Sequence, residues 1–386
     1  MKYLIVSSLF APESRGGSEV VAERYAQILA SAGNEVVVAT LSRSGAARFC
    51  AFNHDYYNIY RCNPWGKFTF FDLPRLPRLM RPLWHILDAI NLLSARQFKK
   101  ILAIEKPDAV VFHNIKGFGY LLPRVARKFG AKTILVLHDV QLIEPSGIAE
   151  PELRSNMTRR LWSFFSRRVI SNPHAVVYPS EWLLVTMRRF GFFKRSVNTV
   201  IRNPASKAGF LPARPIKNLL YLGQLESAKG VRFLFEVIKM IRGDFILNVV
   251  GSGSLKHEIE RIAKLNSRVK FYGRREGNDL EAIWRETDLL LVPSIAAENA
   301  PTVLQEAVVR GLMALASSSG GIPELVSDGG SGYLLPVGDA SAWSEKINAL
   351  LGTSMSAVKR EKCRVLTQDW SEQVFLKKFT DFVNRL

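Results

Sequence analysis

Residues 289–311 read LLLVPSIAAENAPTVLQEAVVRG and predict a strand, a loop and a helix. The apolar run at 289–292 has the length of a buried β-strand. Pro301 suits the first position of a helix, and Gly311 suits the residue just past its end. Because a helix N-terminus offers free N–H groups and the positive end of a dipole, this segment suits a diphosphate ligand.

Similar strand-and-helix patterns extend from this stretch in both directions. Short apolar runs alternate with longer helical patterns, which predicts an α/β fold with parallel sheets. The predicted strands of the first half are 3–7, 35–40, 109–112, 133–137, 175–178 and 199–201. After a Pro-containing linker at 202–216, the predicted strands are 219–222, 246–250, 269–272, 289–292 and 314–317. Two such domains would present the loops at their strand ends to a shared cleft.

The composition predicts two cores and a phosphate-bearing or anionic partner. The chain has 386 residues, 47% hydrophobic and 23% charged, which is ample material for two domains. Its net charge of +19 is concentrated in residues 1–205, where 29 Lys and Arg accompany 14 Asp and Glu, a net of +15. This excess favours nucleic acid or acidic lipid as a partner, although a generally basic surface gives the same pattern.

Cysteine content and hydropathy indicate the compartment. Cys50, Cys62 and Cys363 have no metal-ligand spacing and form no even-numbered disulfide framework, which favours a reduced, cytosolic environment. No run reaches the ~18 apolar residues of a membrane span, so we expect any membrane contact to be peripheral.

Two glutamates, Glu298 and Glu306, are separated by seven residues around the predicted helix start. This pair resembles the hallmark of the retaining glycosyltransferases of family 4, which have two Rossmann-like domains facing a cleft (the GT-B fold). Other segments resemble the family in the same order along nearly the whole chain: Gly16-Gly17, His113-Asn114, Leu-His-Asp at 137–139, the segment 222–230 and the glycine loop 320–324.

The resemblance implies an acceptor-binding domain over 1–203, a nucleotide-sugar-binding domain over 204–366, and a C-terminal helix over 367–386 that packs back on the first domain. It implies a hexosyltransferase that moves a sugar, with retention of configuration, from a UDP-sugar (favoured over a GDP-sugar) to a glycan or lipid-linked saccharide. Such an enzyme would serve bacterial surface polysaccharide or lipopolysaccharide synthesis. We expect it to need no cofactor and no metal, since the sequence has no Asp-x-Asp pair.

The resemblance also assigns site residues. Lys229, Glu298 and His138 would be catalytic, with Lys229 as the principal cation on the leaving phosphate. The donor would be bound by Gly16, Gly17, Gln224, Lys229, Ala300, Thr302, Val303 and Glu306. Gln224 stands where the family usually has Arg, so one charge on the donor phosphates is missing. Pro301 stands where many members have Gly, and because proline has no N–H, the backbone contacts to the sugar would come from its neighbours.

The segment 63–102 interleaves basic residues with aromatic and aliphatic ones. It suits either a membrane interface, with apolar stems buried and cationic heads at lipid phosphates, or an irregular connection packed inside the first domain. Residues assigned to the acceptor or the membrane are Asn114, Asp139, Arg75, Arg78, Arg81 and Trp84. We expect the protein in the cytoplasm or peripherally at the inner face of the cell membrane.

Three other functions fit parts of the sequence. A nucleotide-sugar epimerase shares the fold and needs no acceptor, and a non-catalytic nucleic-acid-binding protein would account for the charge. An inactive sugar-binding relative would account for Gln224. Site residues also have structural alternatives: Glu306 as an exposed helix residue, Lys229 as a surface lysine and His138 as a hydrogen-bonding core residue. The resemblance favours glycosyl transfer, with no nucleic-acid partner.

Overall fold

The computed structural model describes residues 1–13, 16–42, 49–53, 57–63, 73, 76–205 and 208–386. These residues belong to two compact units. The first contains Met1–Gly147, Ser155–Pro204 and Phe375–Leu386, and the second contains Ile148–Arg154 and Ala205–Val374. Each unit is a mostly parallel sheet with helices, which confirms the predicted class of two Rossmann-like domains.

The sheet of the first unit has its topological switch point in the middle. Its strands are β1 (Lys2–Val6), β2 (Glu35–Leu41), β3 (Phe49–Asn53), β4 (Asn58–Cys62), β5 (Ala109–Phe112), β6 (Lys132–Val136), β7 (Ala175–Tyr178) and β8 (Val197–Val200). Their order is β3-β4-β2-β1-β5-β6-β7-β8, and only the β3–β4 pair among these strands is antiparallel. The strand order reverses between β1 and β5, so the loops after these two strands lie at the switch point.

The helices of the first unit cover a core of fully buried strand residues. They are α1 (Gly17–Ser31), α2 (Arg81–Ala89), α3 (Leu92–Glu105), α4 (Leu122–Lys128), α5 (Met157–Ile170) and α6 (Glu181–Arg189). Helix α1 buries Val21, Tyr25 and Leu29 at helical spacing against the sheet. None of the described helices of the chain is long and apolar enough to cross a bilayer.

The second unit has a six-stranded sheet with the same strand order around its switch point. Its strands are β9 (Asn218–Leu222), β10 (Ile246–Val250), β11 (Val269–Gly273), β12 (Leu289–Val292), β13 (Met313–Ser317) and β14 (Gly332–Leu335). They are ordered β11-β10-β9-β12-β13-β14 and all pairs are parallel. Its helices are α7 (Val231–Lys239), α8 (Lys256–Leu265), α9 (Gly277–Glu286), α10 (Thr302–Val309), α11 (Ala340–Leu350) and α12 (Ala357–Gln368). The switch point lies between β9 and β12.

The last helix, α13 (Glu372–Asn384), packs on the first unit. The ring of Phe375 lies 4.4 Å from that of Tyr25, and the ring of Phe379 lies 5.3 Å from it, centroid to centroid. Lys132 Nζ donates a hydrogen bond to the Val383 carbonyl oxygen at 3.0 Å. The predicted return of the C-terminal helix to the first domain is therefore confirmed.

Candidate functional site

The loops after β9 and β12 meet at the switch point of the second unit. Both Ile295 N and Ala296 N donate to the Ala228 carbonyl oxygen at 3.0 Å, which ties the two loops together. Gly230 has a φ of +73°, and a Cβ on it would lie 1.7 Å from the Pro293 carbonyl oxygen. Only glycine permits this approach, so the loop that carries the preceding lysine is held directly against the β12 loop.

Lys229 and Glu298 are joined by an ion pair at this junction. Lys229 Nζ lies 2.6 Å from Glu298 Oε1, and Ser294 Oγ donates to the same oxygen at 2.9 Å. The Lys229 side chain is 36% exposed and that of Glu298 is 13% exposed. The structure thus brings together two of the three residues predicted to be catalytic, with the ammonium group still open to solvent on one side.

The loop after β13 fixes the backbone of the same glutamate. Gly321 N donates to the Glu298 carbonyl oxygen at 2.7 Å. Gly320 has a φ of +62°, and a Cβ there would lie 2.1 Å from that carbonyl oxygen. The glycine loop noted in the sequence therefore holds Glu298 in place, and three successive loops converge at one end of the sheet.

Helix α10 begins beside this junction with Thr302. Pro301 is its N-cap, so the helix begins one residue later than the sequence predicted, and the proline side chain makes no capping hydrogen bond. Ala300, Thr302 and Val303 are half-buried at this end, and Glu306 is a half-buried residue one turn further on. The helix start therefore offers N–H groups and a positive dipole end next to Lys229 and Glu298.

Gln224 lies in the loop that follows β9. Its side chain is exposed, and its carbonyl oxygen accepts a hydrogen bond from the Tyr221 hydroxyl at 2.7 Å. Burial, together with the nearby carboxylates of Glu298 and Glu226, raises the pKa of Tyr221, so this hydroxyl stays protonated and keeps donating. The loop is thereby fixed, with the Gln224 side chain at the surface of the second unit.

In the first unit, His113 follows β5 and His138 follows β6. His113 Nδ1 lies 2.9 Å from His138 Nε2, and the rings stack with centroids 5.1 Å apart. Burial lowers the pKa of His138 to about 4 and, with the neighbouring His138, places that of His113 well below its usual value. Both rings are therefore neutral near pH 7, and one donates to the other.

The environment of His113 determines which ring donates. His113 Nε2 is buried and has no hydrogen-bond partner among the described residues. A buried N–H without a partner costs more than a buried lone pair without one, which favours a proton on Nδ1 of His113. His138 Nε2 then accepts, and His138 carries its own proton on Nδ1.

Asn114 and Asp139 order the loops beside this histidine pair. Asn114 Oδ1 accepts from Lys116 N at 3.1 Å and from Gln141 Nε2 at 3.3 Å. Asp139 Oδ1 accepts from Gln141 N at 2.8 Å. Lys116 was not predicted from the sequence; burial lowers the pKa of its ammonium group, although Asp139 and Asp88 oppose the shift. Both predicted residues thus have structural hydrogen bonds within the first unit.

The glycine pair before α1 already has a carboxylate partner. Gly16 is the N-cap and Gly17 is the first helical residue. Gly16 N donates to Glu19 Oε2 at 2.6 Å, and Ser18 Oγ donates to Glu19 Oε1 at 3.0 Å. Glu19, which the sequence analysis missed, is almost fully buried. Any phosphate at Gly16 would have to compete with this carboxylate, and the spacing of Glu three residues after the N-cap is the signal that could have revealed it.

The residues assigned to membrane contact have different surroundings. Trp84 is buried on the inner side of α2, which for this residue fits the alternative of packing inside the first domain. Arg81 is half-buried, and its Nε donates to the Leu76 carbonyl oxygen at 3.2 Å. Arg75 lies outside the described residues, and only the backbone of Arg78 is described. The helical period of α2 places Trp84 opposite a set of exposed apolar residues.

Family comparisons match both halves of the chain. The sequence model described as "Glycosyl transferase 4-like domain" matches residues 16–204. The sequence model described as "Glycosyl transferases group 1" matches residues 216–353. The first match spans most of the first unit, and the second match spans most of the second unit.

Curated relatives include an "Uncharacterized 42.6 kDa protein in cps region" of Klebsiella pneumoniae, 26% identical over 84% of this chain and 87% of that protein. The "Putative colanic acid biosynthesis glycosyltransferase WcaL" of Escherichia coli K12 is 26% identical over 45% of this chain and 46% of its own length.

Solved structures share the fold over the full length. A sucrose-phosphate synthase from Thermosynechococcus elongatus superposes with a TM-score of 0.76 at 19% identity, covering 100% of this chain and 98% of that chain. Anabaena Alr3699/HepE in complex with UDP and glucose gives a TM-score of 0.72 at 15% identity, covering 100% of both chains.

Proposed function

Because the chain belongs to the group 1 glycosyltransferases of family 4, we propose that it transfers a hexose, with retention of configuration, from a UDP-sugar to a saccharide acceptor. The observation that supports this most directly is the cluster of Lys229, Ser294 and Glu298 beside the start of α10. A cation and a helix N-terminus can bind the diphosphate, and a carboxylate can accept hydrogen bonds from the sugar hydroxyls.

In this proposal, the diphosphate binds the N-terminal end of α10 and Lys229. Glu298 accepts hydrogen bonds from sugar hydroxyls, and Glu306 accepts them from the ribose. When the donor binds, the Lys229 ammonium group exchanges part of its contact with Glu298 for phosphate oxygens. It then stabilises the charge that develops on the leaving UDP, which is typically a large catalytic contribution.

The first unit supplies the acceptor side of the proposal. In this proposal His138, which is hydrogen-bonded to His113, positions the sugar or the acceptor. Asn114 and Asp139 support the same loops. We propose that no metal ion or other cofactor takes part, so that the charge on the diphosphate is met by Lys229, the amide of Gln224 and backbone N–H groups alone.

The nature of the donor and acceptor rests on the relatives. Alr3699/HepE is described in complex with UDP and glucose, which motivates a UDP-sugar as donor. A relative named for colanic acid biosynthesis and one from a cps region motivate a surface polysaccharide intermediate, free or lipid-linked, as acceptor. Such an acceptor is consistent with a protein that works in the cytoplasm and contacts the inner face of the cell membrane peripherally.

A thermal-shift screen of nucleotide sugars tests the donor. A bound donor raises the unfolding temperature by mass action, so UDP and one UDP-hexose should stabilise the protein more than GDP-sugars do. Turnover of that donor should require an added saccharide acceptor and should persist after EDTA treatment. Stabilisation by no nucleotide sugar would contradict the proposal, and conversion of the donor without any acceptor would indicate an epimerase.

A further inference from the structure

Helix α2 and the turn before it present apolar side chains to solvent. At helical spacing, Leu79, Leu83, Ile86 and Ile90 are all exposed, with Leu79 94% and Leu83 57% accessible. The opposite side of the helix buries Trp84, Asp88 and Ala89. A soluble helix normally orients its apolar stripe inward, so this helix, which is apolar on both sides, has an outer face that lacks a partner among the described residues.

A second apolar stripe lies on the neighbouring helix. In α5, Met157, Leu161 and Phe164 follow the same spacing and are each more than half exposed. The two helices are adjacent, because the ring of His85 on α2 lies 6.3 Å from that of Trp162 on α5. We use the name outer face for these exposed apolar residues: Leu79, Leu83, Ile86, Ile90, Met157, Leu161 and Phe164.

The exposed charges on the helices that carry the outer face, and on α3 beside them, have one sign. The segment 76–105, which covers α2 and α3, contains only Asp88 and Glu105 as acidic residues, and 157–170 contains none. Glu105, the last residue of α3, lies 2.8 Å from Lys2 Nζ, and its side chain is only 10% exposed. Asp88 is buried and accepts a hydrogen bond from Gly117 N at 2.8 Å, so it does not contribute a surface charge. Exposed basic residues on α3 and α5 are Arg96, Lys99, Lys100, Arg160 and Arg168. Helices α2, α3 and α5 therefore combine exposed apolar residues with exposed basic ones and carry no exposed acidic side chain.

We propose that the outer face docks onto an anionic lipid bilayer, with its apolar side chains entering the interface and its basic side chains meeting lipid phosphates. Amphipathic helices bind membranes with this combination of residues, because apolar burial and attraction to anionic lipid act together. The inference rests on the proposed function only in giving the docking a purpose: it would bring the acceptor-binding unit to a lipid-linked saccharide.

Other occupants fit the outer face less well. A two-fold symmetric dimer through this face would place identical patches opposite each other, so the basic residues of two copies would repel. Nucleic acid would meet the basic residues but leave exposed leucine and isoleucine side chains without apolar contacts. A bilayer satisfies both kinds of residue at once.

Vesicle flotation tests the proposal with the full chain and no nucleotide sugar. Wild type should float with vesicles of equimolar phosphatidylglycerol and phosphatidylcholine and bind phosphatidylcholine alone much more weakly. The double variant Leu83→Glu/Ile86→Glu should lower the partition coefficient by about tenfold or more, because two apolar contacts become two repelled charges. Arg160→Gln/Arg168→Gln should lower it by about fivefold for each charge removed.

The matched control changes two exposed apolar residues outside the outer face. Val185 on α6 and Leu265 on α8 are both more than half exposed, so Val185→Glu/Leu265→Glu makes the same change in charge and should still float. Stabilisation by UDP in a thermal-shift assay should be the same in all variants, which reports on the donor site independently of lipid binding.

Failure of wild type to bind anionic vesicles would overturn the proposal, as would equal flotation of wild type and Leu83→Glu/Ile86→Glu. A wild-type dimer that the same double variant dissociates, with no flotation of either, would assign the outer face to a second copy and also overturn it. Because no glycosyl transfer is measured, vesicle binding would stand even if the proposed reaction were wrong.

Discussion

Replacing Lys229 by Met removes the ammonium group from the candidate donor site and keeps most of the side chain. Since Lys229 Nζ lies 2.6 Å from Glu298 Oε1 and the lysine is 36% exposed, folding stability should fall by less than about 1 kcal/mol. A charge-assisted hydrogen bond to the diphosphate contributes about 1.5–3 kcal/mol, so UDP should bind about 10- to 150-fold more weakly. Loss of the ammonium group, which stabilises the charge developing on the leaving UDP, should lower kcat by about 10²–10³-fold.

Calorimetric titration with UDP and initial-rate kinetics measure these two effects separately. Lys256→Met is the matched control, because Lys256 is an exposed lysine of the same unit that lies 3.7 Å from Glu260. This variant loses the same charge but should keep normal affinity and turnover. If Lys229→Met were indistinguishable from Lys256→Met in both measurements, Lys229 would not bind the donor phosphates.

Three further predictions concern the fold around the two candidate sites. Gly230→Ala should unfold at a clearly lower temperature than Gly338→Ala, because both glycines have a φ near +73° but only the first would place its Cβ 1.7 Å from the Pro293 carbonyl oxygen; equal melting temperatures would show that the contact is easily relieved. Phe379→Ala should destabilise the first unit by about 3–5 kcal/mol in urea unfolding, because its fully buried ring would leave a cavity, and an unchanged midpoint would mean that α13 contributes little. Burial lowers the pKa of His138 from 6.5 to about 4, so between these pH values the unfolded chain binds more protons than the folded one. The contribution of the neutral His138 ring to stability is therefore complete above pH 6.5 and is lost as the pH falls towards 4. His138→Gln should show a flatter pH dependence of unfolding in that window, and an unaltered slope would argue against a neutral buried ring.

The central strands were predictable because they are buried on both sides. Strands β5, β7, β10 and β12 match the predicted ranges 109–112, 175–178, 246–250 and 289–292, since parallel strands of this kind are continuous apolar runs. Strands β3, β4 and β14 were missed. All three lie at or beside a sheet edge. Strand β4 reads Asn-Ile-Tyr-Arg-Cys and β14 begins with glycine, so the sequences of these two strands do not differ clearly from those of loops.

The individual residues of the candidate donor site were predictable, but their contacts were not. Lys229 and Glu298 are 69 positions apart, and they touch because β9 and β12 are neighbours in the sheet. The sequence also gave no direct sign that His113 would hydrogen-bond His138, or that Glu19 would accept from the Gly16 N–H. Such pairings depend on strand order and loop geometry, which a linear pattern does not specify.

The stereochemistry of the product tests the central claim most directly. The purified protein is incubated with an α-linked UDP-hexose and a saccharide acceptor, and the anomeric configuration of the new linkage is read by proton NMR. We expect UDP release and an α-linked product, because the sugar is transferred with retention. A β-linked product would contradict retention, and the absence of any transfer across a panel of UDP-sugars and acceptors would contradict the proposed activity itself.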